Sequence, residues 1–176
     1  MRYTPYQGRK TGDGIRNSLL ILLLGVVLGA LGKWSDGYVA WLAELTSGIS
    51  LWILLATAVA LYSRTAMRAA LNVFLLLGGM VGAYYLTAVL TNSVWGKNYL
   101  IGWGVAAVLS VIPGYLVWFA KGRSRRAWLL SLGVVVVQVA LVIVLFRTVR
   151  IFDVVTILLT AAVLLADKLG PSRGGR

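Results

Sequence analysis

The 176-residue chain contains no cysteine, no histidine, three prolines, and five acidic side chains against seventeen basic ones. Without cysteine there is no disulfide framework and no thiolate, so cysteine usage says nothing about redox compartment. Without histidine, the commonest metal ligand and general base is missing. The acids are Asp13, Asp36, Glu44, Asp153 and Asp167, and none falls near the middle of an apolar run. Proton- or sodium-coupled carriers usually place an ionisable group or a broken helix near the bilayer midplane, so a drug/proton antiporter is not expected. An intramembrane protease lacks its base or its paired membrane aspartates, and a lipid phosphotransferase lacks the carboxylates that would hold its metal. No enzyme, cofactor or metal site is expected. No G-x-x-x-x-G-K-[ST] loop occurs, so any ATP-driven process needs a partner to hydrolyse the nucleotide.

What is abundant is oil-soluble sequence. Apolar residues make up 60% of the chain and charged ones 12%, with a mean hydropathy of +0.87. A soluble core of this size cannot hide so much, whereas runs of about 17–25 apolar residues are what a helix needs to cross hydrocarbon. The expected fold is all-α: a polytopic membrane bundle of six transmembrane helices. Its spans fall at about 17–31, 49–63, 67–90, 99–120, 127–146 and 151–166. A basic N-terminal tail (1–16) precedes them, and "WSDGYVAWLAELTSG" suggests an interfacial segment over 34–47. Gly170 and Pro171 suit a helix stop before a tail over 170–176. The first run, "SLLILLLGVVLGAL", follows basic residues as in a secretory signal, but "LGA" is a poor cleavage site and further runs follow, so an uncleaved span is expected.

The seventeen Lys and Arg flank these runs, which argues against nucleic-acid binding despite a net charge of +12. Counted by loop, thirteen fall on one side of the six-span threading and four on the other (Lys33, Lys97, Arg147, Arg150). Cytoplasmic loops retain positive charge, so both termini are expected in the cytoplasm of a cell-membrane protein. "LFRTVRIFD" (145–153) then lies outside. Two readings of its charges stand. Arg150 and Asp153, three apart, form a local pair while Arg147 snorkels to lipid; or Arg147, Arg150 and Asp153 line an extracytoplasmic vestibule that binds a substrate.

The aromatic residues bear on that choice. Trp34, Trp41, Trp52, Trp95 and Trp103 fall toward the outer half, with Tyr84 and Tyr85 of "GGMVGAYYLT" at the same level. A headgroup belt is one explanation. Because only Trp118 and Trp128 serve the inner side, the other is an outward-open cavity with aromatic walls, to which Trp34, Trp41, Tyr84, Tyr85 and Trp103 contribute. Gln138, central in "VVVVQVALV", needs a partner in hydrocarbon and either bonds to another helix or lines a substrate path; Asn72, Thr57, Thr156 and Thr160 suit interhelical bonding. Pro113, with Gly114, should kink the fourth span. Gly25 with Gly29, and Gly78 with Gly82, put small residues four apart, for internal packing or for docking to a membrane partner. "KGRSRR" sets orientation, or its Lys121, Arg123, Arg125 and Arg126 bind anionic lipid or an acidic partner.

In size, six-span count and cytoplasmic termini the chain resembles the substrate-binding S-components of energy-coupling factor transporters, small six-helix proteins that capture a vitamin or metal from outside. There Gly25 and Gly29 look like the small-residue face presented to a shared coupling subunit, and the outer aromatics resemble the pocket. The chain is equally similar to uncharacterised small six-span bacterial membrane families. The function expected is a solute-binding transport component without its own energy source, embedded in the bilayer and partnered by a coupling subunit or a second copy. The alternative is a non-transporting accessory, immunity or membrane-organising protein acting through a membrane partner or anionic lipid.

Overall fold

A computed structural model describes residues 11–169; the basic tail up to residue 10 and the terminal segment with Gly170 and Pro171 lie outside the described residues. Among the described residues the chain is all-helical: α1 (Thr11–Tyr38), α2 (Ala40–Ser47), α3 (Ile49–Tyr62), α4 (Ala66–Leu90), α5 (Lys97–Leu109), α6 (Val111–Trp118), α7 (Arg125–Phe146) and α8 (Ile151–Leu169). Four stretches are long and apolar enough to cross a membrane: α1, α4, α5 continued by α6, and α7. The pair α2–α3, bent by 58°, makes a fifth if it counts as one span, and α8 is a shorter apolar helix over Ile151–Ala166. Leu19, Leu23, Leu129, Leu132, Val136, Val144 and Leu158 all point outward. So much exposed aliphatic surface is that of a protein embedded in lipid rather than dissolved in water.

The spine is the α1–α4 pair. Gly14 lies by Arg68, Gly25 by Leu76 and Gly29 by Met80, so the two helices run parallel. A Cβ on Gly25 or Gly29 would run into the carbonyl oxygen of Leu76 or Met80, and one on Gly79 would sit 2.9 Å from the Leu22 side chain. This face of α1 is therefore taken up by α4 within the chain. Among the described residues Gly78 meets only the Phe74 ring and Gly82 has nothing within 4 Å, so of the second glycine pair neither makes the close approach. Asn72 fastens the same seam: it accepts from Ser18 Oγ at 2.7 Å and donates to Ser63 Oγ at 3.0 Å. The fourth apolar run breaks at Ser110. Pro113 offers no N–H to the Leu109 carbonyl, and Ser110 Oγ donates back to Ala107 O at 2.6 Å. Gly114 then lets α6 approach Val73 and Ala70 of α4.

One end of the bundle gathers the start of α1, the α3–α4 and α6–α7 links and the end of α8. Lys121 Nζ donates to Ser63 O at 2.6 Å and stands over the Trp118 ring, and Arg123 Nε donates to Lys168 O at 2.8 Å, so these two basic residues cap helix ends. Arg125 and Arg126 are exposed, beyond the Ser124 cap on the Ala127 N–H. Lys168 is buried and spends its three donors on Ala120 O (2.8 Å), Ser131 Oγ (2.7 Å) and Leu164 O (3.3 Å). Lys168→Met should cost about 1–3 kcal/mol, because buried acceptors lose a charged donor. Arg126→Ala should stay within about 0.5 kcal/mol. Thermal midpoints in detergent will separate the two.

Candidate functional site

At the other end of the bundle the break between α2 and α3 organises everything. Gly48 separates them in an extended conformation (φ −74°, ψ 123°), and the turn frees carbonyls at the end of α2 that must find donors. Leu45 O takes the Gly48 N–H at 3.3 Å, Thr46 O takes the Trp52 indole N–H at 2.8 Å, and Glu44 O takes Arg150 Nη1 at 3.2 Å. Gly48 is also a close-approach site: a Cβ there would lie 3.1 Å from Arg150 Nη2 and 3.6 Å from Asp153 Oδ1.

Asp153 is 1% exposed. It accepts from Ser50 Oγ, from the Arg150 backbone N–H at 3.1 Å and from Arg150 Nε at 3.2 Å. Its place in the first turn of α8 explains the reach back to the N–H just before the helix, one half of a capping box. Its partner Ser50 lies in the first turn of α3, where the positive end of the helix dipole also favours a carboxylate. Arg150 stacks over the Phe146 ring at 4.9 Å and stands 4.0 Å from Glu44 Oε1. Gln138 Nε2 donates to Ser50 O at 3.0 Å, and its buried Oε1 has no partner among the described residues. Thr156 and Thr160 bond back to carbonyls of α8 itself. Arg147 stays outside this network: it is exposed, closes α7 in the left-handed region (φ 55°), and its side chain meets no partner among the described residues.

Beside this clamp lies a cavity of about 470 Å³ between α1, α4 and α5, with the end of α2 and the start of α3 as one wall. That volume falls within the range for small-molecule sites. Aromatic side chains surround it: Trp52, Tyr84, Tyr85, Trp95, Tyr99 and Trp103. Tyr85 stands edge-on to Tyr84 at 5.2 Å and to Trp95 at 6.2 Å. Met80, Val81, Leu28, Gly29 and Gly32 supply its apolar and small lining, and Asp36 is its charged lining residue. Asp36 Oδ2 accepts from the Tyr84 hydroxyl at 2.6 Å and lies 3.5 Å from Lys33 Nζ; that ammonium also donates to Val94 O at 3.1 Å. A second cavity, about 410 Å³, sits at the opposite end beside Arg64, Arg68 and Asn72.

Of the residues singled out in the sequence, Tyr84, Tyr85 and Trp103 meet in the cavity wall. Trp34 and Trp41 do not: both are exposed, and Trp34 stacks on Tyr38 at 5.3 Å. Arg150, Asp153 and Gln138 form the clamp, which touches the cavity only through α2 and α3. Trp52, Trp95, Tyr99 and Asp36 were missed as site residues. The signal for Trp52 was its place just after Gly48, where an indole N–H can reach a carbonyl released by the break. Comparison with protein-family models, with curated proteins and with solved structures returns no match to this chain.

Proposed function

We propose that the protein crosses the cell membrane six times with both termini in the cytoplasm, and that it binds a small solute in the aromatic cavity from the outer side. The observation that carries this reading is the cavity itself: six aromatic rings and one carboxylate around about 470 Å³, at the end of the bundle away from most of the basic residues. The excess of Lys and Arg in the tails and in the loops near residues 64–68 and 121–126 supports the orientation. The bent α2–α3 pair and the short α8 supply the fifth and sixth crossings. Arg150 and Asp153 act as positioning residues. By gripping Glu44 O and Ser50 Oγ they hold the break whose neighbours Thr46, Ser47 and Trp52 form the cavity wall. The chain offers no nucleotide loop, so ATP-driven accumulation requires a partner that hydrolyses the nucleotide.

The purified protein in detergent, heated with a panel of vitamins, nucleobases, amines and amino acids, should gain several degrees of thermal midpoint with at least one member. A ligand at 100 times its Kd contributes about 2.7 kcal/mol. Trp103→Leu should remove the gain, and Arg147→Ala should leave it intact. Indifference to the whole panel overturns the binding reading. A cysteine placed at Thr148 should react with an impermeant reagent from the outer face; reaction from the cytosolic face alone overturns the orientation.

A further inference from the structure

We propose that the ligand of the aromatic cavity is an organic cation, a quaternary ammonium or protonated amine carried on an apolar or aromatic body; this rests on the cavity being a binding site. Aromatic faces attract cations through their quadrupoles, and the attraction strengthens where water is excluded. Here Trp52, Tyr84, Tyr85, Trp95, Tyr99 and Trp103 present such rings around one space. The charged group among the lining residues is a carboxylate. Among the described residues Asp36 keeps its Oδ1 free of partners, since the Tyr84 hydroxyl and Lys33 both approach Oδ2, and its side chain is 33% exposed. Among the described residues the basic side chain nearest the lining is Lys33, which stands at the rim against Asp36, Tyr84 and Val94. The rim already displays the interaction in miniature: the Lys33 ammonium stands 5.2 Å from the centre of the Tyr84 ring.

Lys33 works against the ligand, because it offsets part of the Asp36 charge. That opposition gives the inference a two-signed consequence. Asp36→Asn should weaken a cation and Lys33→Gln should strengthen it, each by about tenfold given one charge altered at close range in a partly dry site. An anion would respond with the opposite signs.

The test measures binding of three probes of one shape: phenyltrimethylammonium, its neutral isostere tert-butylbenzene, and the anion phenylphosphonate. The protein sits in nanodiscs of phosphatidylglycerol, and binding is read by tryptophan fluorescence and thermal midpoint. The expected result is tightest binding of the ammonium, with Asp36→Asn and Lys33→Gln moving its Kd in opposite directions. Should Asp36→Asn not fold, Trp103→Phe against Trp103→Leu serves instead: the ring-preserving change should retain ammonium binding and leucine should reduce it about tenfold. Equal binding of the ammonium and the isostere overturns the cation and leaves the cavity a binding site. Preference for the phosphonate likewise overturns it. Failure of all three probes overturns the cation, and joined to an indifferent solute panel it removes the binding site as well. Repeating the titration with a small share of phosphatidylcholine in the discs, too little to alter their surface charge, separates the two sources of the cation. Competition by that lipid supports a trimethylammonium headgroup as the occupant, and unchanged probe affinity supports a free solute.

Discussion

Asp153→Ala should destabilise the protein by about 3–5 kcal/mol, the cost of breaking a buried ion pair and leaving its partners unmatched. The carboxylate is almost wholly buried and takes three donors, from Ser50 Oγ, the Arg150 N–H and Arg150 Nε. Its removal strands a guanidinium at the rim and a hydroxyl in the first turn of α3, and it removes the tie between the start of α8 and the α2–α3 break. The measurement is the thermal or denaturant midpoint in detergent, with Arg147→Ala as a neighbour that should change little because its side chain contacts nothing described. An apolar exchange of both partners, Arg150→Met with Asp153→Leu, should recover a large part of the loss, since a buried pair replaced by well-packed apolar groups is often no less stable. A double mutant as unstable as the sum of its singles would show that the pair is not coupled. Because Arg150 also holds Glu44 O, the recovered double mutant should still bind ligand less tightly than the native chain.

Much of the architecture was legible because it depends on chain-local quantities. Apolar run length located α4, α7 and α8 to within a few residues, and Pro113 marked the interruption between α5 and α6. The end of α1 was not legible. Ser35 and Asp36 look like the start of the interfacial segment read over 34–47, yet the helix continues to Tyr38 because these groups are satisfied locally. Lys33 pairs with Asp36 three residues on, and Ser35 Oγ donates to Gly32 O at 2.8 Å. The site was half legible. Depth along a span can be counted, and it placed Tyr84, Tyr85 and Trp103 at one level. Rotation about a helix that is apolar on every side leaves no periodic trace, so nothing in the sequence distinguished Trp103, in the wall, from Trp34, which faces outward. The Ser50–Asp153 bond joins residues 103 apart, and no local pattern announces it. The same blindness explains the second glycine pair. Gly78, Gly79 and Gly82 offer two faces at small-residue spacing, and only the placement of α1 selects Gly79.

That selection gives the second large effect a sign that differs between the α1–α4 seam and the face of α4 turned away from it. Gly25→Ala and Gly29→Ala should each cost about 1–3 kcal/mol, the usual range for overpacking, because the added methyl meets the backbone oxygen of Leu76 or Met80. A backbone carbonyl inside a helix cannot swing aside as a side-chain tip can, so relief requires the two helices to separate along the seam fixed by Asn72. Gly82→Ala, with nothing within 4 Å, should instead be neutral or stabilise by up to about 1 kcal/mol, since alanine restricts the unfolded chain and favours helix. Midpoints for the three alanine variants at 25, 29 and 82 therefore test the parallel α1–α4 contact directly, and equal effects at Gly25 and Gly82 would refute it. Ligand affinity then separates packing from site. Gly29 and Met80 both line the cavity while Gly25 and Leu76 do not, so displacement at Gly29 deforms the pocket and displacement at Gly25 does not. Gly29→Ala should weaken probe binding in the protein that remains folded, and Gly25→Ala should lower the midpoint with affinity preserved.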